Sequence, residues 1–525
     1  MLFNTYEFIF LFLPIVFVLF WVSKSVRSKL YVLTCSSYIF YGYWNPWFVL
    51  LMVGSTFLDY WVGEKLHVET RQKKRKLLLL ISIGGNLGSL GFFKYYNFFA
   101  DSVSLALNSI ELTSFIPTLN IILPIGISFY TFQSMSYTID IYRKNTQPTH
   151  DLLKFACYVS MFPQLVAGPI VRHSDMIYQF DEKGILNFRL HLFLMGLSIF
   201  FIGLFKKVVI ADTMATYATP VFNAANTGLP ELTFFSAWGG VLAYTFQLYY
   251  DFSGYSDMAI GIGLFFGIRF PLNFYSPYKA TNIIDFWKRW HMTLSRFLRD
   301  YLYISLGGNR KGKVRKYINL IITMLLGGLW HGAGWTFVIW GALHGCYLMI
   351  NHAWRALRSG LGSNLNSDSM LGHWISRLIT FVAVMVAWVF FRVDNFDAAF
   401  NVLKGMSGLN GFILPSKLLI IFNYIGSFGT YLVDIGFKFV LDPAFHQWGY
   451  PLLLILLVFT WSTPNTHQFM AYYNPTVTNF VGDSYPRYSW LKWRLNRYSA
   501  VFIACLTFLA ILGLNEVSEF IYFQF

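Results

Sequence analysis

Long apolar runs, interrupted by short polar or basic loops, dominate the chain. A helix that crosses the hydrocarbon core of a membrane needs about 20 predominantly apolar residues. We therefore predict an all-α fold, a polytopic transmembrane helical bundle with roughly ten to twelve crossings plus re-entrant pieces, forming one integral membrane domain over residues 1–525. The clearer candidate spans lie near 7–22, 30–46, 47–62, 77–93, 153–170, 190–210, 233–250, 374–391, 450–461 and 499–514, and shorter or broken ones near 121–139, 257–271, 317–328, 335–351 and 417–440.

The composition excludes a water-soluble chain. Hydrophobic residues make up 56% of the sequence and charged residues 12%, whereas soluble proteins carry about 25% charged residues. Aromatic residues reach 20%, which suits interfacial belts and packed helices in a lipid bilayer. The four cysteines are far apart, so the sequence predicts neither a disulfide framework nor a zinc site. We also predict no bound cofactor and no bound metal.

The positive charge is concentrated in short loops. The formal net charge is +15, and its position between apolar spans indicates the positive-inside bias of membrane proteins instead of nucleic-acid binding. Lys24, Arg27 and Lys29 follow the first span and are predicted to be cytoplasmic, as is the segment 67–75. The segment 222–233 has no Lys or Arg and is predicted to lie outside.

The strongest basic block covers residues 288–316. Its first part, FWKRWHMTLSRFLRDYLY (286–303), has apolar residues near helical spacing, with Arg289 largely off that stripe. This pattern predicts an amphipathic helix that lies in the membrane interface. The next segment, LGGNRKGK (306–313), contains Arg310 and predicts a flexible basic turn. It lacks the spacing of a phosphate-binding GxxxxGK[ST] loop.

The most informative apolar segment, 317–351, carries His331 within GGLWHGAG (327–334). A helix that begins near Tyr317 places His331 roughly 22 Å beyond the basic loop at 1.5 Å per residue. The hydrocarbon core is about 30 Å thick, so His331 is predicted to lie deep. Glycines weaken a helix, and broken helices at membrane depth occur where they line a cavity. The segment therefore predicts a cavity-lining break that carries an imidazole.

His331 has two competing interpretations. It can hydrogen-bond between packed helices, with the glycines serving only close packing. Alternatively, its neutral imidazole acts as a general base that takes a proton from an acceptor hydroxyl or thiol during attack on an acyl donor. Within this second interpretation, the imidazole can also act as a nucleophile that briefly carries the acyl group.

The other polar groups within apolar stretches are weaker candidates. His291 flanks the basic loop that leads to His331, so both can face one cavity, while His344 and His352 are interpreted as structural or interfacial. In QLYYDFSGYSD (247–257), Asp251 and its neighbours belong either to a loop or helix cap outside the lipid, or to a group that orients an imidazole or satisfies a broken helix. The candidate supporting or substrate-binding residues are Gln247, Asp251, Tyr255, Arg289, Arg310 and Trp330.

Several of these motifs resemble the membrane-bound O-acyltransferase family. The resemblance is carried by FWKRWHMTLSRFLRDYLYISLGGNRKG (286–312) and LLGGLWHGAGWTFVIWGALHG (325–345). The segments 247–267, 162–170 and 387–399 resemble its alginate O-acetyltransferase branch. The core motifs fall within residues 120–400, whereas 401–525 is less distinctive.

The resemblance implies a fold and a set of roles. It implies many helices around a central funnel, with His331 as the catalytic histidine and His291 at the second functional position, which varies in the family between His, Asn and Asp. It implies acetyl-coenzyme A as a cytoplasmic donor substrate and hydroxyls of an exported polysaccharide as acceptor. It also implies a separate periplasmic acyltransferase as partner, and a location in a bacterial inner membrane.

Other functions remain open at this point. Within the same family, the acceptor can be peptidoglycan, or the transferred group can be D-alanine. A transporter or flippase also has broken helices and midplane polar residues, although no inverted hydropathy repeat is visible. A structural subunit of a polysaccharide export complex is a third class.

Overall fold

The computed structural model describes all residues except 113–115, 182, 363–368, 425, 427, 479, 481–490, 516–519 and 522–525. Within the described residues nearly all regular secondary structure is helical, so the all-α fold class is confirmed. Residue contacts divide the chain into two compact units, and the single domain expected over 1–525 stays a prediction. The first unit contains Met1–Phe205, Phe252–Asn273 and Thr466–Phe525, and the second contains Lys206–Asp251 and Phe274–Asn465.

Some helices in the first unit begin at residues whose side chains accept hydrogen bonds from free backbone N–H groups. The side chain of Ser25 accepts a hydrogen bond from the Ser28 amide, and that of Asn45 accepts one from the Trp47 amide. Such caps stabilise a helix by about 1 kcal/mol. The helices described in this unit are Glu7–Phe12, Leu13–Val22, Val26–Gly42, Pro46–Val68, Gln72–Leu90, Gly91–Tyr95, Tyr96–Asn108, Ile127–Tyr142, Leu152–Ser160, Phe162–Leu165, His173–Met176, Ile177–Phe180, Lys183–Leu186, Leu190–Phe205, Thr466–Phe469, Ala471–Tyr473, Arg497–Leu512 and Gly513–Asn515.

Two helical segments of the first unit pack backbone to backbone. Gly196, in Leu190–Phe205, faces Gly261, and a Cβ added at either glycine would lie 2.6 Å from the carbonyl oxygen of the other. A Cβ at Gly203 would likewise lie 2.6 Å from the carbonyl oxygen of Gly254. Small residues allow helices to approach this closely in a membrane, where packing drives their association.

A buried carboxylate connects three helices of the first unit. Asp59 has no exposed surface, and it accepts hydrogen bonds from the Ser82 hydroxyl at 2.6 Å and the Asn86 amide at 2.8 Å. The Ser82 hydroxyl is also 2.8 Å from that of Thr138. Because a buried charge is costly without partners, this network explains how Asp59 is accommodated among apolar helices.

The second unit contains longer helices and one small parallel sheet. Its two strands pair with Phe412 opposite Phe437. The helix Phe234–Phe265 begins in the first segment of this unit, Lys206–Asp251, and continues into residues assigned to the first unit. The other elements described here are the helices Lys206–Ala211, Asp212–Thr227, Pro277–Lys279, Ile283–Arg289, Met292–Phe297, Leu298–Tyr303, Lys313–His331, Trp335–Gly360, Met370–Arg392, Phe396–Met406, Ser416–Tyr424, Phe428–Asp434 and Gly449–Ser462, and the strands Phe412–Leu414 and Phe437–Phe439.

The polar segment 247–257 lies inside the 32-residue helix Phe234–Phe265. Gln247 is half-buried, whereas Asp251 and Tyr255 are 1% and 2% exposed. The alternative that places this segment in a loop or helix cap outside the lipid is therefore wrong. Its polar residues occupy the interior of an uninterrupted helix.

Several helices have the length and composition of membrane spans. Within the described residues, three segments are long and apolar enough to cross a bilayer: Gln72–Asn108, Leu190–Thr227 and Met370–Arg392. Shorter apolar helices are Glu7–Val22, Gly449–Ser462 and Arg497–Leu512. The multi-pass character of the protein is confirmed, and the larger number of crossings expected from the sequence stays a prediction.

Candidate active site

The glycine-rich segment 327–334 breaks a tight helical hairpin of the second unit. The helix Lys313–His331 ends at His331, and the next helix, Trp335–Gly360, follows after three residues. A Cβ at Gly328 would collide with the Phe337 carbonyl oxygen, so the two helices approach closely only because a glycine is present. The break predicted around His331 is therefore confirmed.

The imidazole of His331 is enclosed by aromatic rings. Its centroid lies 4.9 Å from the ring of Trp330, 5.0 Å from that of Trp340 and 5.2 Å from that of Phe391. All three contacts are edge-to-face, an arrangement that aromatic pairs favour. His331 is 4% exposed, so its side chain is held in a mostly apolar setting without being sealed completely.

His291 lies at a second break in the chain, where the sequence predicted a continuous interfacial helix. The helix Ile283–Arg289 ends before it, the helix Met292–Phe297 begins after it, and His291 itself has φ 42° and ψ 55° in the left-handed region. The prediction of one helix over 286–303 is thus wrong. A left-handed non-glycine residue costs roughly 1–3 kcal/mol, and such strain is concentrated at functional sites.

The two breaks bring His291 and His331 together. Their ring centroids lie 6.4 Å apart, and the ring of Trp330 lies 6.0 Å from that of His291. His291 has no exposed surface and stacks at 6.3 Å on Phe274. The sequence-based expectation that both histidines face one space is consistent with this geometry, and Trp330 belongs to the same cluster.

Burial keeps the imidazole of His291 neutral. His291 lies outside the apolar helices identified as candidate spans, and its burial lowers the pKa from 6.5 to about 3. A neutral imidazole has one N–H donor and one acceptor nitrogen. At physiological pH, His291 therefore offers hydrogen bonds to a reacting group and no positive charge.

The two arginines singled out from the sequence have different surroundings. Arg289 donates a hydrogen bond to Asp285 at 2.9 Å, and its guanidinium lies 5.9 Å from the ring of Tyr275. The carbonyl oxygen of Arg289 accepts a hydrogen bond from the Tyr275 amide at 2.9 Å. Arg289 thus holds the segment around Tyr275 against the end of the helix that precedes the break at His291. Arg310 is exposed, in a turn where Gly307, Gly308 and Gly312 have positive φ angles.

The candidates from helix Phe234–Phe265 have described contacts other than the histidine pair. Asp251 forms an ion pair with Lys207 at 2.9 Å, and Lys207 also pairs with Asp212 at 2.8 Å. Tyr255 belongs to the first unit, where it stacks on Phe3 at 4.8 Å. The structure therefore gives Asp251 a role in a buried ion cluster, and a role in orienting an imidazole stays a prediction.

Sequence reasoning missed the aromatic residues that pack around His331 and against one another. Trp340, Trp388 and Phe391 come from two further helices, and Trp340 stacks on Trp388 with centroids 5.7 Å apart. One signal was available: Trp340 lies nine residues after His331 in a segment already singled out. Tryptophans are so frequent in this chain, at 17 in total, that the residue type alone does not distinguish these positions.

The helical fold with several apolar spans makes the chain a multi-pass membrane protein, and comparison with known proteins gives its family. The chain belongs to the membrane-bound O-acyltransferase family, whose model matches residues 143–393. That range includes His291 and His331. The expected resemblance is confirmed, and the protein is an acyltransferase, so the comparisons favour an enzyme over a transporter or a structural subunit.

Relatives narrow the class of reaction. The chain is 46% identical to the peptidoglycan O-acetyltransferase of Helicobacter pylori over 443 residues, which cover 78% of this chain and 80% of that protein. It is 46% identical to a probable alginate O-acetylase of Pseudomonas putida over 407 residues, with coverage of 77% and 80%. A teichoic acid D-alanyltransferase of Bacillus subtilis is 31% identical over 241 residues, 43% of this chain and 58% of the relative. The chain is a membrane O-acetyltransferase.

Proposed function

We propose that this enzyme takes an acetyl group from cytoplasmic acetyl-coenzyme A and passes it across a bacterial inner membrane to hydroxyls of an exported, alginate-like polysaccharide. A separate periplasmic acyltransferase completes the transfer. The observation that carries the proposal is the meeting of His291 and His331, 6.4 Å apart, at two breaks in otherwise helical segments. The names of the relatives support an acetyl group and a polysaccharide acceptor.

In this proposal His331 is the general base. Its neutral imidazole takes the proton of the hydroxyl that first accepts the acetyl group, the oxygen of that hydroxyl attacks the thioester carbonyl carbon, and the carbon–sulfur bond breaks. The thiolate of coenzyme A leaves and recovers the proton from the imidazolium of His331. His291 donates or accepts a hydrogen bond that positions the reacting groups. A general base such as His331 commonly contributes about 10²–10⁴-fold to the rate, or roughly 3–5 kcal/mol.

Charge supports the approach of the donor from the basic turn. Arg310, Lys311, Lys313 and Arg315 are all exposed near the start of the helix that ends at His331. Coenzyme A carries several phosphate charges, and a basic surface raises the local concentration of such a ligand. The helix then spans roughly 28 Å from Lys313 to His331 at 1.5 Å per residue, a path from charged surface to buried imidazole.

The first experiment measures release of free thiol from acetyl-coenzyme A by the purified protein in detergent. Wild type is compared with His331→Ala, His291→Ala and His446→Ala, the last as a matched control because His446 is exposed. We expect His331→Ala to lower the rate by about 10²-fold or more, His291→Ala to lower it substantially, and the control to match wild type. Thermal unfolding in the same detergent verifies that each variant is folded.

Two outcomes would change the role assigned to His331. Equal rates in wild type and His331→Ala, with partner protein and acceptor polymer present, would contradict the assignment of His331. An acetyl group found on His331 after rapid acid quenching would replace the general base by a nucleophile.

The acceptor is tested directly, since identity to an alginate O-acetylase and to a peptidoglycan O-acetyltransferase is equally 46%. Cells that lack the gene are complemented with it, and acetyl esters are quantified in the exported polysaccharide and in purified peptidoglycan. Restoration only in peptidoglycan would retain the enzyme class and change the acceptor to cell-wall sugar hydroxyls.

A further inference from the structure

A group of buried polar atoms without hydrogen-bond partners lies beside the histidine pair. Both ring nitrogens of His344, and the indole nitrogens of Trp287 and Trp340, have no partner among the described residues. His344 has no exposed surface, and Trp340 is 1% exposed. Buried polar groups are nearly always hydrogen-bonded, so three such side chains in one place indicate that something else supplies the partners.

These side chains form one cluster that is continuous with His331. The ring of His344 lies 4.8 Å from that of Trp340 and 5.1 Å from that of Trp287. Trp340 in turn lies 5.0 Å from His331. Trp340 therefore separates the two imidazoles, and a ligand that contacts His344 is one indole ring away from the candidate catalytic group.

The cluster lies on the side of His331 from which a phosphorylated donor is expected. The helices Lys313–His331 and Trp335–Gly360 form a hairpin. At the end of the hairpin opposite the break, which is its far end, the ring centroids of Tyr317 and His352 lie 6.3 Å apart. His344 lies nine residues into the second helix, roughly 14 Å from its start, between the break and that far end. The exposed basic residues near the far end are Lys313, Arg315 and Arg355.

We infer that His344, Trp287 and Trp340 bind the amide-bearing arm of the acyl donor, next to its thioester. A secondary amide offers one carbonyl acceptor and one N–H donor. A neutral imidazole and two indole N–H groups provide the complementary donors and acceptor. The inference rests on the proposed function, and it deepens it by giving the donor arm a defined binding site. His344, which sequence reasoning interpreted as structural or interfacial, becomes a substrate-binding residue.

The test compares donors that differ only in their amides. Thiol release is measured with acetyl-coenzyme A, with S-acetylpantetheine, which keeps the amides without the terminal phosphates, and with S-acetylbutanethiol, which has no amide. The variants are His344→Phe, which keeps an aromatic ring, His344→Gln, which keeps hydrogen-bonding groups, and Trp287→Phe, which removes the indole N–H and leaves a smaller aromatic ring. His446→Gln is the control, because His446 is exposed.

We expect His344→Phe to raise KM about tenfold for both amide-containing donors, as lost hydrogen bonds to a buried amide would. The value of kcat/KM for S-acetylbutanethiol should match that of wild type. His344→Gln should recover most of the loss, and Trp287→Phe should give a smaller change with the same donor selectivity. This selectivity does not follow from a merely structural role, which would affect all three donors alike.

Two results would overturn the inference while leaving the proposed function intact. One is an equal loss of activity in His344→Phe with all three donors, and the other is no change with any of them while wild type is active. If His344→Phe does not fold, Trp287→Phe decides between these results. A wild-type protein that releases thiol from none of the donors, even with partner and acceptor present, would instead remove the proposed function and this inference with it.

Discussion

Replacing Lys207 by Met tests whether the buried ion cluster of the second unit stabilises the fold. Lys207 pairs with Asp251 at 2.9 Å and with Asp212 at 2.8 Å. The side chains of Lys207 and Asp251 are each 2% exposed, whereas that of Asp212 is 21% exposed. Loss of the ammonium therefore leaves Asp251 as the carboxylate with the least access to water.

The magnitude follows from this difference in exposure. Removing one partner of a buried ion pair typically costs about 3–5 kcal/mol, because the remaining charge is uncompensated. We expect Lys207→Met to fall in this range. The double variant Lys207→Met/Asp251→Leu removes both buried charges and should recover most of the loss, to within roughly 2 kcal/mol of wild type, since apolar replacements of buried pairs are often close to neutral.

The assay is reversible unfolding in mild detergent, titrated with dodecyl sulfate. Lys154→Met provides the matched control, because Lys154 pairs at 2.5 Å with Asp181, whose side chain is 61% exposed. An exposed pair of this kind contributes about 1 kcal/mol or less. A double variant as unstable as Lys207→Met alone would refute the reasoning. The loss in the free energy of unfolding would then not arise from an Asp251 carboxylate that has lost its Lys207 partner.

Two further stability predictions concern a glycine and a histidine. Gly328→Ala should destabilise the protein by roughly 1–3 kcal/mol through overpacking, because its Cβ would collide with the Phe337 carbonyl oxygen. Gly334→Ala should be far milder, because a Cβ there would have no neighbouring atom nearer than 3.5 Å. An equal fall of the melting temperature of both variants in detergent would contradict this prediction. Burial lowers the pKa of His173 from 6.5 to about 4, and its Nε2 lies 2.6 Å from the Thr149 hydroxyl. Below pH 6.5 the unfolded imidazole binds a proton that the folded one excludes, so the free energy of unfolding should fall by about 1.4 kcal/mol per pH unit down to about pH 4. His173→Gln should flatten that slope between pH 7 and pH 5 in dodecyl sulfate titrations, and an unchanged slope would argue against His173 as its source.

The sequence predicted the features that depend on residue type and spacing. Apolar runs indicated a helical membrane protein, and the four glycines around His331 indicated a break at that position. The break is confirmed, since the helix ends at His331. The run of glycines is visible in the sequence, whereas the close approach of Gly328 to the backbone of the returning helix is seen only in the structure.

The break at His291 was not predictable in the same way. No glycine marks it, and the apolar residues of 286–303 continue at helical spacing through it. The left-handed backbone arises from tertiary packing around the imidazole, which periodicity does not encode. The same applies to Lys207, which follows an apolar run and resembles an interface anchor. Its partner Asp251 lies far along the chain, so the pair is recognisable only in three dimensions.

The left-handed backbone at His291 also limits which residues evolution can place there. Its φ of 42° disfavours most side chains, while Asn, Asp and His are the non-glycine types several-fold enriched at positive φ. The resemblance to membrane-bound O-acyltransferases implies that this family position varies among His, Asn and Asp, which are the same three residue types. The left-handed backbone therefore restricts which residue types fit this position, independently of their role in the reaction. The small set of residue types at this position therefore reflects the backbone conformation as well as the reaction.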